Sequence, residues 1–429
     1  MLFKNIMILD ENLETKENMF VGVQGERIDY IGAEMPAKDY GETTDGAGRL
    51  LMPGFYNAHA HSPMALLRGR GENLALQDWL TEKIFPFEDQ LTGEDVYWGT
   101  LLCMAESIRS GIVSTSDLYF FVSEMTDAVV KSGAKNNICR SLSNFDGTPF
   151  EEMKSAQEFM EAVRDLDGAG DGRVIMEASL HAEYTSDEAT ARSLAAYAKE
   201  RSLRMQVHVS ETKAEHEECK ERHGGRTPAQ YLNDCGIFDV PAIAAHCVWI
   251  EGEDFDILKE KEATVATCPC SNLKLASGIC DTPEILKRGI NLAIGTDSVS
   301  SNNSLNFMEE MKAMALLGKI RGGDPTAITP KQVLYAATRG GALAQGRADC
   351  GLMKEGYRAD LIMLRTDVPN MHPVYSMDSN LVYAASAADI VMTMADGKVL
   401  YKDGEFTTID VPETLAHVDQ SVKRILESL

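Results

Sequence analysis

Between Leu50 and Asp297 the chain repeats one unit eight times: a short apolar run, then a segment long enough for a helix. The runs are Leu51–Asn57, Ile112–Asp117, Ile138–Asn144, Val174–His181, Met205–Glu211, Ile243–Cys247, Thr264–Pro269 and Leu292–Asp297. Near-continuous apolar runs read as strands covered on both faces, and strands alternating with helices call for a parallel sheet. Eight of them predict an α/β fold whose core is a (β/α)₈ TIM barrel. Helix starts fit the gaps. Thr92 precedes Glu94 and Asp95, Ser186 opens another segment, and Thr329-Pro330 offers an N-cap followed by a proline at the first helical position.

The runs end on, or lead into, polar groups: His59, Asp117, Asn144, His181, His208, His246 and Asp297. In such a barrel the C-terminal strand ends converge on one face, where active sites are built. Residues far apart in sequence are thus expected to meet there.

The chain ends follow a different pattern. Met19, Val21 and Val23 alternate, Gly25-Glu26-Arg27 supplies a turn, and Ile28–Gly32 follows. Strand character returns in Ala359–Leu364 and Ile390–Met394, with Asp396-Gly397 as a hairpin signal before Lys398–Tyr401. A few short strands cannot bury much alone, so both ends are expected to build one small discontinuous β-sandwich domain from residues 1–50 and 346–429, with residues 51–345 as the barrel.

Charge narrows the partners. Against 41 basic residues stand 66 acidic ones, a net charge of −25, which disfavours nucleic acid and anionic membranes. Lys4 and Asn5 interrupt the N-terminus before an apolar signal core builds, and no apolar run approaches the roughly 20 residues that span a bilayer. The nine cysteines have no framework spacing, and Cys268-Pro-Cys270 is neither a zinc-knuckle nor a redox pair. Reduced thiols in a cytoplasmic protein are the expectation.

The strand ends also carry a chemistry. In the extended segment His59-Ala60-His61, residues i and i+2 point the same way, so both imidazoles can reach one ion; the alternative is an incidental pair. His208 is either a core histidine bonded to a neighbouring strand or a third ligand. Glu211 is either a surface helix-cap residue or an acid–base carboxylate. Asp297 could cap the next helix, and His246 closes an apolar strand. Their meeting at one rim favours the joint reading of a divalent metal centre beside a proton-transfer carboxylate. Three neutral imidazoles and a carboxylate suit zinc, with iron or manganese as alternatives. A bound divalent cation brings the pKa of water from about 15.7 to about 7, which makes a nucleophile at neutral pH.

At these residues the chain resembles the amidohydrolase superfamily, in its deaminase branch. The resemblance runs through Met52-Pro-Gly-Phe-Tyr-Asn-Ala-His-Ala-His61, Leu67-Arg68-Gly69, His208-Val-Ser-Glu211, Ala245-His246-Cys247, Ser271-Asn-Leu-Lys-Leu275 and Gly295-Thr-Asp-Ser298. It continues through the segment from Thr329-Pro330 to Ala342 and the closing Ala359-Asp360-Leu361. Within that branch the chain resembles the 5′-methylthioadenosine/S-adenosylhomocysteine deaminases. That implies metal-dependent hydrolytic deamination of 5′-methylthioadenosine, S-adenosylhomocysteine, 5′-deoxyadenosine or adenosine, releasing ammonia and the inosine product. The alternative substrate is another amino- or chloro-substituted heterocycle, a guanine-type base or a triazine.

The resemblance implies His59, His61, His208 and Asp297 as ligands of one Zn²⁺ per subunit. Glu211 becomes the proton shuttle to the purine ring nitrogen, and His246 holds the attacking hydroxide and the tetrahedral intermediate. Asp297 also takes the water's proton and passes it to departing ammonia. Glu88 would bond the ribose hydroxyls, His181 would reach the nucleoside, Trp79 would wall the pocket and Arg140 would pair with a substrate carboxylate. Plainer roles stand beside these: a helix-flanking acid, a satisfied rim histidine, a core tryptophan and a salt bridge inside the barrel.

Two departures stand out. No arginine follows Arg140 until Arg164, where the branch commonly has a second one gripping an amino-acid tail, and this weighs against S-adenosylhomocysteine more than against smaller 5′-modified adenosines. Cys268-Pro269-Cys270 replaces the family's usual Asn-Pro pair, and both thiols are expected to pack rather than ligate. His216 and His223 are expected to be solvated in a polar helix, and His372 and His417 to have no role. A homo-oligomer is expected from chain length and the habit of the family.

Overall fold

The computed structural model describes residues 1–74 and 76–429. Eight parallel strands follow one another in chain order around a barrel: Phe55–Ala60, Ile112–Tyr119, Lys135–Arg140, Val174–Ser179, Met205–Val209, Ala242–His246, Thr264–Thr267 and Leu292–Ile294. The ring closes where the Asp297 amide donates to the His59 carbonyl at 2.9 Å and Ala60 bridges Asp297. The expected (β/α)₈ barrel is thus present, and its strands are buried almost throughout.

Several strand boundaries differ from expectation, two of them by three residues or more at each end. The run Leu51–Asn57 is divided between two sheets: Arg49–Pro53 belongs to the chain-end sheet, and Phe55–Ala60 begins the barrel. Gly54 is the joint, and a side chain there would meet Val113 Cγ1 at 2.4 Å. Both halves are buried, so apolar continuity could not show the break. The third strand stops at Arg140, beyond which a single bridge from Leu142 to Leu180 continues the pairing.

Caps behave as local rules require. Thr92 and Asp95 form a reciprocal capping box on Gly93–Arg109, and Thr329 with Gln332 does the same on Pro330–Tyr335. Ser186 is not the cap of Glu188–Arg201; the neighbouring Asp187 accepts from the Thr190 amide at 2.7 Å. A carboxylate one residue nearer the helix supplies the acceptor instead.

Both chain ends build the second unit, a nine-stranded sheet. Arg49–Pro53 lies at its centre, parallel to Leu2–Leu9 and antiparallel to Leu361–Arg365, so N- and C-terminal segments share one ladder. Asp396 and Gly397 turn the hairpin between Ile390–Ala395 and Lys398–Lys402 with φ of 46° and 72°, the left-handed pair such a turn needs. Phe3, Ile8, Val21, Leu51, Met363 and Met392 belong to its apolar core.

Barrel and sheet are joined by buried charge. Lys135 Nζ, from the third barrel strand, lies 2.6 Å from Asp360 Oδ2 and 2.7 Å from Asp396 Oδ1. Tyr56 Oη also donates to Asp360. Among the described residues no helix is long and apolar enough to cross a membrane.

Candidate active site

At the C-terminal ends of the strands the backbone turns sharply. Ser210, His246, Cys247 and Asp297 take φ of 49°, 69°, 50° and 58°, a left-handed region that costs non-glycine residues of order 1–3 kcal/mol each. Such conformations persist only where the surroundings hold them. Asp297 is held through its side chain: Oδ2 accepts from Ser271 Oγ (2.5 Å) and Ser301 Oγ (3.0 Å), and Oδ1 from the Ser298 amide (2.7 Å). Gly295 lets the strand approach, since a Cβ there would meet His59 Cβ at 2.8 Å and Cys268 Sγ at 2.9 Å.

Four imidazoles face one another across this rim. Ring centroids of His59 lie 5.0, 4.8 and 5.2 Å from those of His61, His208 and His246. Each ring is anchored through Nδ1: His59 on Gln206 Oε1 (2.8 Å), His61 on the Leu118 carbonyl (2.8 Å), His208 on the His181 carbonyl (2.5 Å) and His246 on Asn272 Oδ1 (2.9 Å). A carbonyl only accepts, so Nδ1 of His61 and His208 carries a proton, and each ring turns its Nε2 to the centre. Buried His59 Nε2 has no hydrogen-bond partner. It stands 3.7 Å from Asp297 Oδ1, and His61 Nε2 stands 3.3 Å from the same oxygen.

This set fits a divalent cation. One ligand atom each of His59, His61 and His208 lies within 4.8 Å of the others, and Asp297 adds a carboxylate. Burial, with His61 beside it, pushes His59 down to about 3, and burial with the neighbouring rings holds His208 well below its ordinary value, so both offer neutral nitrogens. Burial penalises the charge on Asp297, yet the hydrogen bond from His61 and the other imidazoles keep its carboxyl well below the usual range. An orphaned buried nitrogen beside an ionised carboxylate is the electrostatic signature of a cation site.

Glu211 lies on the other side of His246, Oε2 being 3.8 Å from His246 Nε2. Burial lifts its carboxyl above the ordinary value. Burial alone would lower His246, but Glu211 and Asp297 outweigh it and raise it. The turn that carries Glu211 is gripped by Glu215, whose carboxylate accepts from the amides of Ser210 (2.9 Å), Glu211 (2.7 Å) and Thr212 (3.4 Å).

A cavity of about 240 Å³ opens over these groups, and every expected site residue at the rim except buried His59 lines it. Trp79 is buried in its wall. Glu88 accepts from Tyr119 Oη at 2.5 Å, and burial raises its carboxyl against that bond. His181 points Nδ1 at Thr185 Oγ1 (3.2 Å), and burial, with His61 next, lowers it to about 4. Arg140 also lines the cavity, and its Nε donates to Glu158 Oε2 at 2.7 Å. That ion pair joins the strand to the helix Lys154–Asp165 rather than lying inside the barrel.

Some neighbours differ from expectation. His216 is buried, with Nδ1 3.1 Å from Ser210 Oγ, and His223 Nε2 pairs with Glu183 at 2.6 Å, so neither is simply solvated. The helix that carries them packs its polar face against the barrel rim. Cys268 is buried and its sulfur lies within 4.8 Å of ring nitrogens of His59 and His246. Burial pushes that thiol well up, which keeps it a neutral packing group beneath the rings. Gln206, Asn272, Tyr119 and Glu215 were not singled out by sequence. Gln206 had a usable signal, because it sits two residues before His208 on the same inward face.

Comparison with known proteins gives the family. A model of the amidohydrolase family matches residues 50–400. A 5-methylthioadenosine/S-adenosylhomocysteine deaminase of Acetivibrio thermocellus is 38% identical over 432 residues, covering 99% of each chain. One of Pelotomaculum thermopropionicum is 38% identical over 386 residues, or 90% of this chain and 88% of the relative. Among solved structures, an adenosine deaminase from Xanthomonas campestris with bound zinc superposes with a TM-score of 0.92 at 28% identity, over 99% of this chain and 98% of that one. An atrazine chlorohydrolase of Arthrobacter aurescens, complexed with zinc, gives a TM-score of 0.89 at 20% identity over 98% and 99%, a likeness of fold alone.

Proposed function

The chain belongs to the amidohydrolase family, and from that premise we propose that it hydrolyses the exocyclic amine of an adenine nucleoside with the help of one zinc ion. His59, His61, His208 and Asp297 would hold the ion, and the observation that carries this is the inward set of Nε2 atoms around orphaned His59 Nε2. When bound, the ion supplies Lewis acidity that brings the pKa of water towards neutrality.

The chain's own groups do the rest. Glu211, its carboxyl raised by burial, protonates the purine ring nitrogen next to the reacting carbon, which makes that carbon electrophilic. Asp297 takes a proton from the attacking water and passes it to the amine. The C–O bond forms first and makes the carbon tetrahedral; the C–N bond then breaks, the amine leaves as ammonia, and the new oxygen returns its remaining proton to Glu211. His246, fixed by Asn272, donates to the oxyanion as it develops. Glu88 and Tyr119 meet the ribose hydroxyls, and buried Trp79 keeps water from the base.

The test is ammonia release by the zinc-loaded protein from adenosine, 5′-deoxyadenosine, 5′-methylthioadenosine, S-adenosylhomocysteine and guanine. Adenine nucleosides should react and guanine should not, while His59→Ala should lose both metal by elemental analysis and activity. Release from guanine alone, or from none, would overturn the reading.

A further inference from the structure

We propose that Glu158 is a positioning residue that sets substrate choice: by holding Arg140, it makes the Arg140 wall of the cavity select 5′ substituents without a carboxylate. The inference rests on the nucleoside reading above and adds the chemical class of the tail. Arg140 ends the third barrel strand and pairs in register with Tyr119, which holds Glu88. With Phe120 it lines both the cavity at the histidines and a second one of about 560 Å³ behind it. Glu88, Glu211 and Arg140 line that one cavity, so on the nucleoside reading Arg140 is among the groups that a 5′ substituent would meet beyond a ribose held at Glu88.

An unengaged guanidinium there would grip a carboxylate through two parallel hydrogen bonds. This one is engaged. Nε donates to Glu158 Oε2 at 2.7 Å and Nη1 to the Ser141 carbonyl at 2.7 Å. Two of its five N–H donors are thus in use, Nε–H among them, and its charge is matched by an opposite one. Lys154 lies 3.5 Å from the other Glu158 oxygen, but its side chain is 90% exposed, so water screens it. Glu161 and Asp165 line the second cavity as well, which adds repulsion against an entering anion. A methyl, hydroxyl or methylthio group meets no such penalty and finds the apolar faces of Phe120 and Phe145.

The experiment compares kcat and KM for 5′-methylthioadenosine and S-adenosylhomocysteine in the zinc-loaded wild type, Glu158→Gln and Glu158→Asp. In parallel, equilibrium binding of both nucleosides is measured with and without Glu158→Gln in a Glu211→Gln background. The wild type should favour 5′-methylthioadenosine. Glu158→Gln should raise the relative kcat/KM for S-adenosylhomocysteine about fivefold, the effect of one partly screened charge pair, and mainly through KM. Glu158→Asp, which keeps the charge, should return most of the wild-type preference. An unchanged ratio in Glu158→Gln, an equal shift for both nucleosides, or a wild type that prefers S-adenosylhomocysteine overturns the proposal and leaves deamination standing. Absent turnover with the binding preference intact overturns deamination and leaves this proposal standing. Failure of both nucleosides to bind overturns both.

Discussion

Removing the Glu215 carboxylate should disable the site without touching any group that meets substrate. The turn Ser210–Thr212 carries Glu211, and Ser210 holds it in a left-handed conformation with φ of 49°. Two short bonds to Glu215, at 2.9 Å from the Ser210 amide and 2.7 Å from the Glu211 amide, secure it; the third, at 3.4 Å, adds little. A buried amide left without an acceptor costs about 1–3 kcal/mol, so two cost roughly 4 kcal/mol. Relaxation of the strained residue returns about 2 kcal/mol. The net of about 2 kcal/mol corresponds to a roughly thirtyfold loss of the native turn. Glu215→Ala should therefore lower kcat/KM for 5′-methylthioadenosine about thirtyfold while zinc content, read by elemental analysis, stays at one per chain. Glu215→Gln keeps one acceptor oxygen and should fall between. A folded, zinc-loaded Glu215→Ala protein with kcat/KM within about twofold of wild type would refute the reasoning, because the turn would then be held by the strand alone.

Two further outcomes follow from groups away from the rim. Burial pushes Glu310 up to about 7 from its ordinary 4.5, against bonds from the Cys270 amide and Asn302 and with Glu309 beside it. A raised carboxyl favours the folded state below pH 4.5, and that contribution is lost as pH rises towards about 7, so Glu310→Gln should flatten the fall in unfolding free energy across this window in denaturant titrations; parallel pH profiles for both proteins would contradict it. Lys135→Met leaves Asp360 and Asp396 buried with Arg358, the Tyr56 hydroxyl and the Asp396 amide as remaining partners. It should destabilise the junction of barrel and sheet by about 3–5 kcal/mol, read as a lower denaturation midpoint, and a loss under about 1 kcal/mol would mean the cluster is well hydrated.

What the sequence revealed and what it concealed divide along a physical line. The metal-facing residues were legible because a parallel barrel brings every strand's C-terminal end to one face. Period-two geometry then sends His59 and His61 the same way. The same periodicity extends inward. Gln206 precedes His208 by two, and Asn57 precedes His59 by two, so a second polar layer lies beneath the first, where Gln206 anchors His59 and Asn57 donates to Thr296. That layer could have been found by asking why buried strands carry amides at all. Glu215, Tyr119 and Glu158 had no comparable signal. Glu215 reads as an acid in a charged helix, and only the fold turns its carboxylate back onto the amides of the preceding turn. Glu158 sits half-exposed on a helix and becomes relevant because Arg140, eighteen residues earlier, ends a strand against it. Strand periodicity constrains which residues share the barrel mouth, whereas helix-borne groups that steady or tune them depend on how each helix packs over the rim. Chemistry was therefore more legible than selectivity. The residues proposed to handle ion and protons sit at strand ends, whereas the one proposed to set the substrate tail, Glu158, lies on a helix that no strand pattern contains.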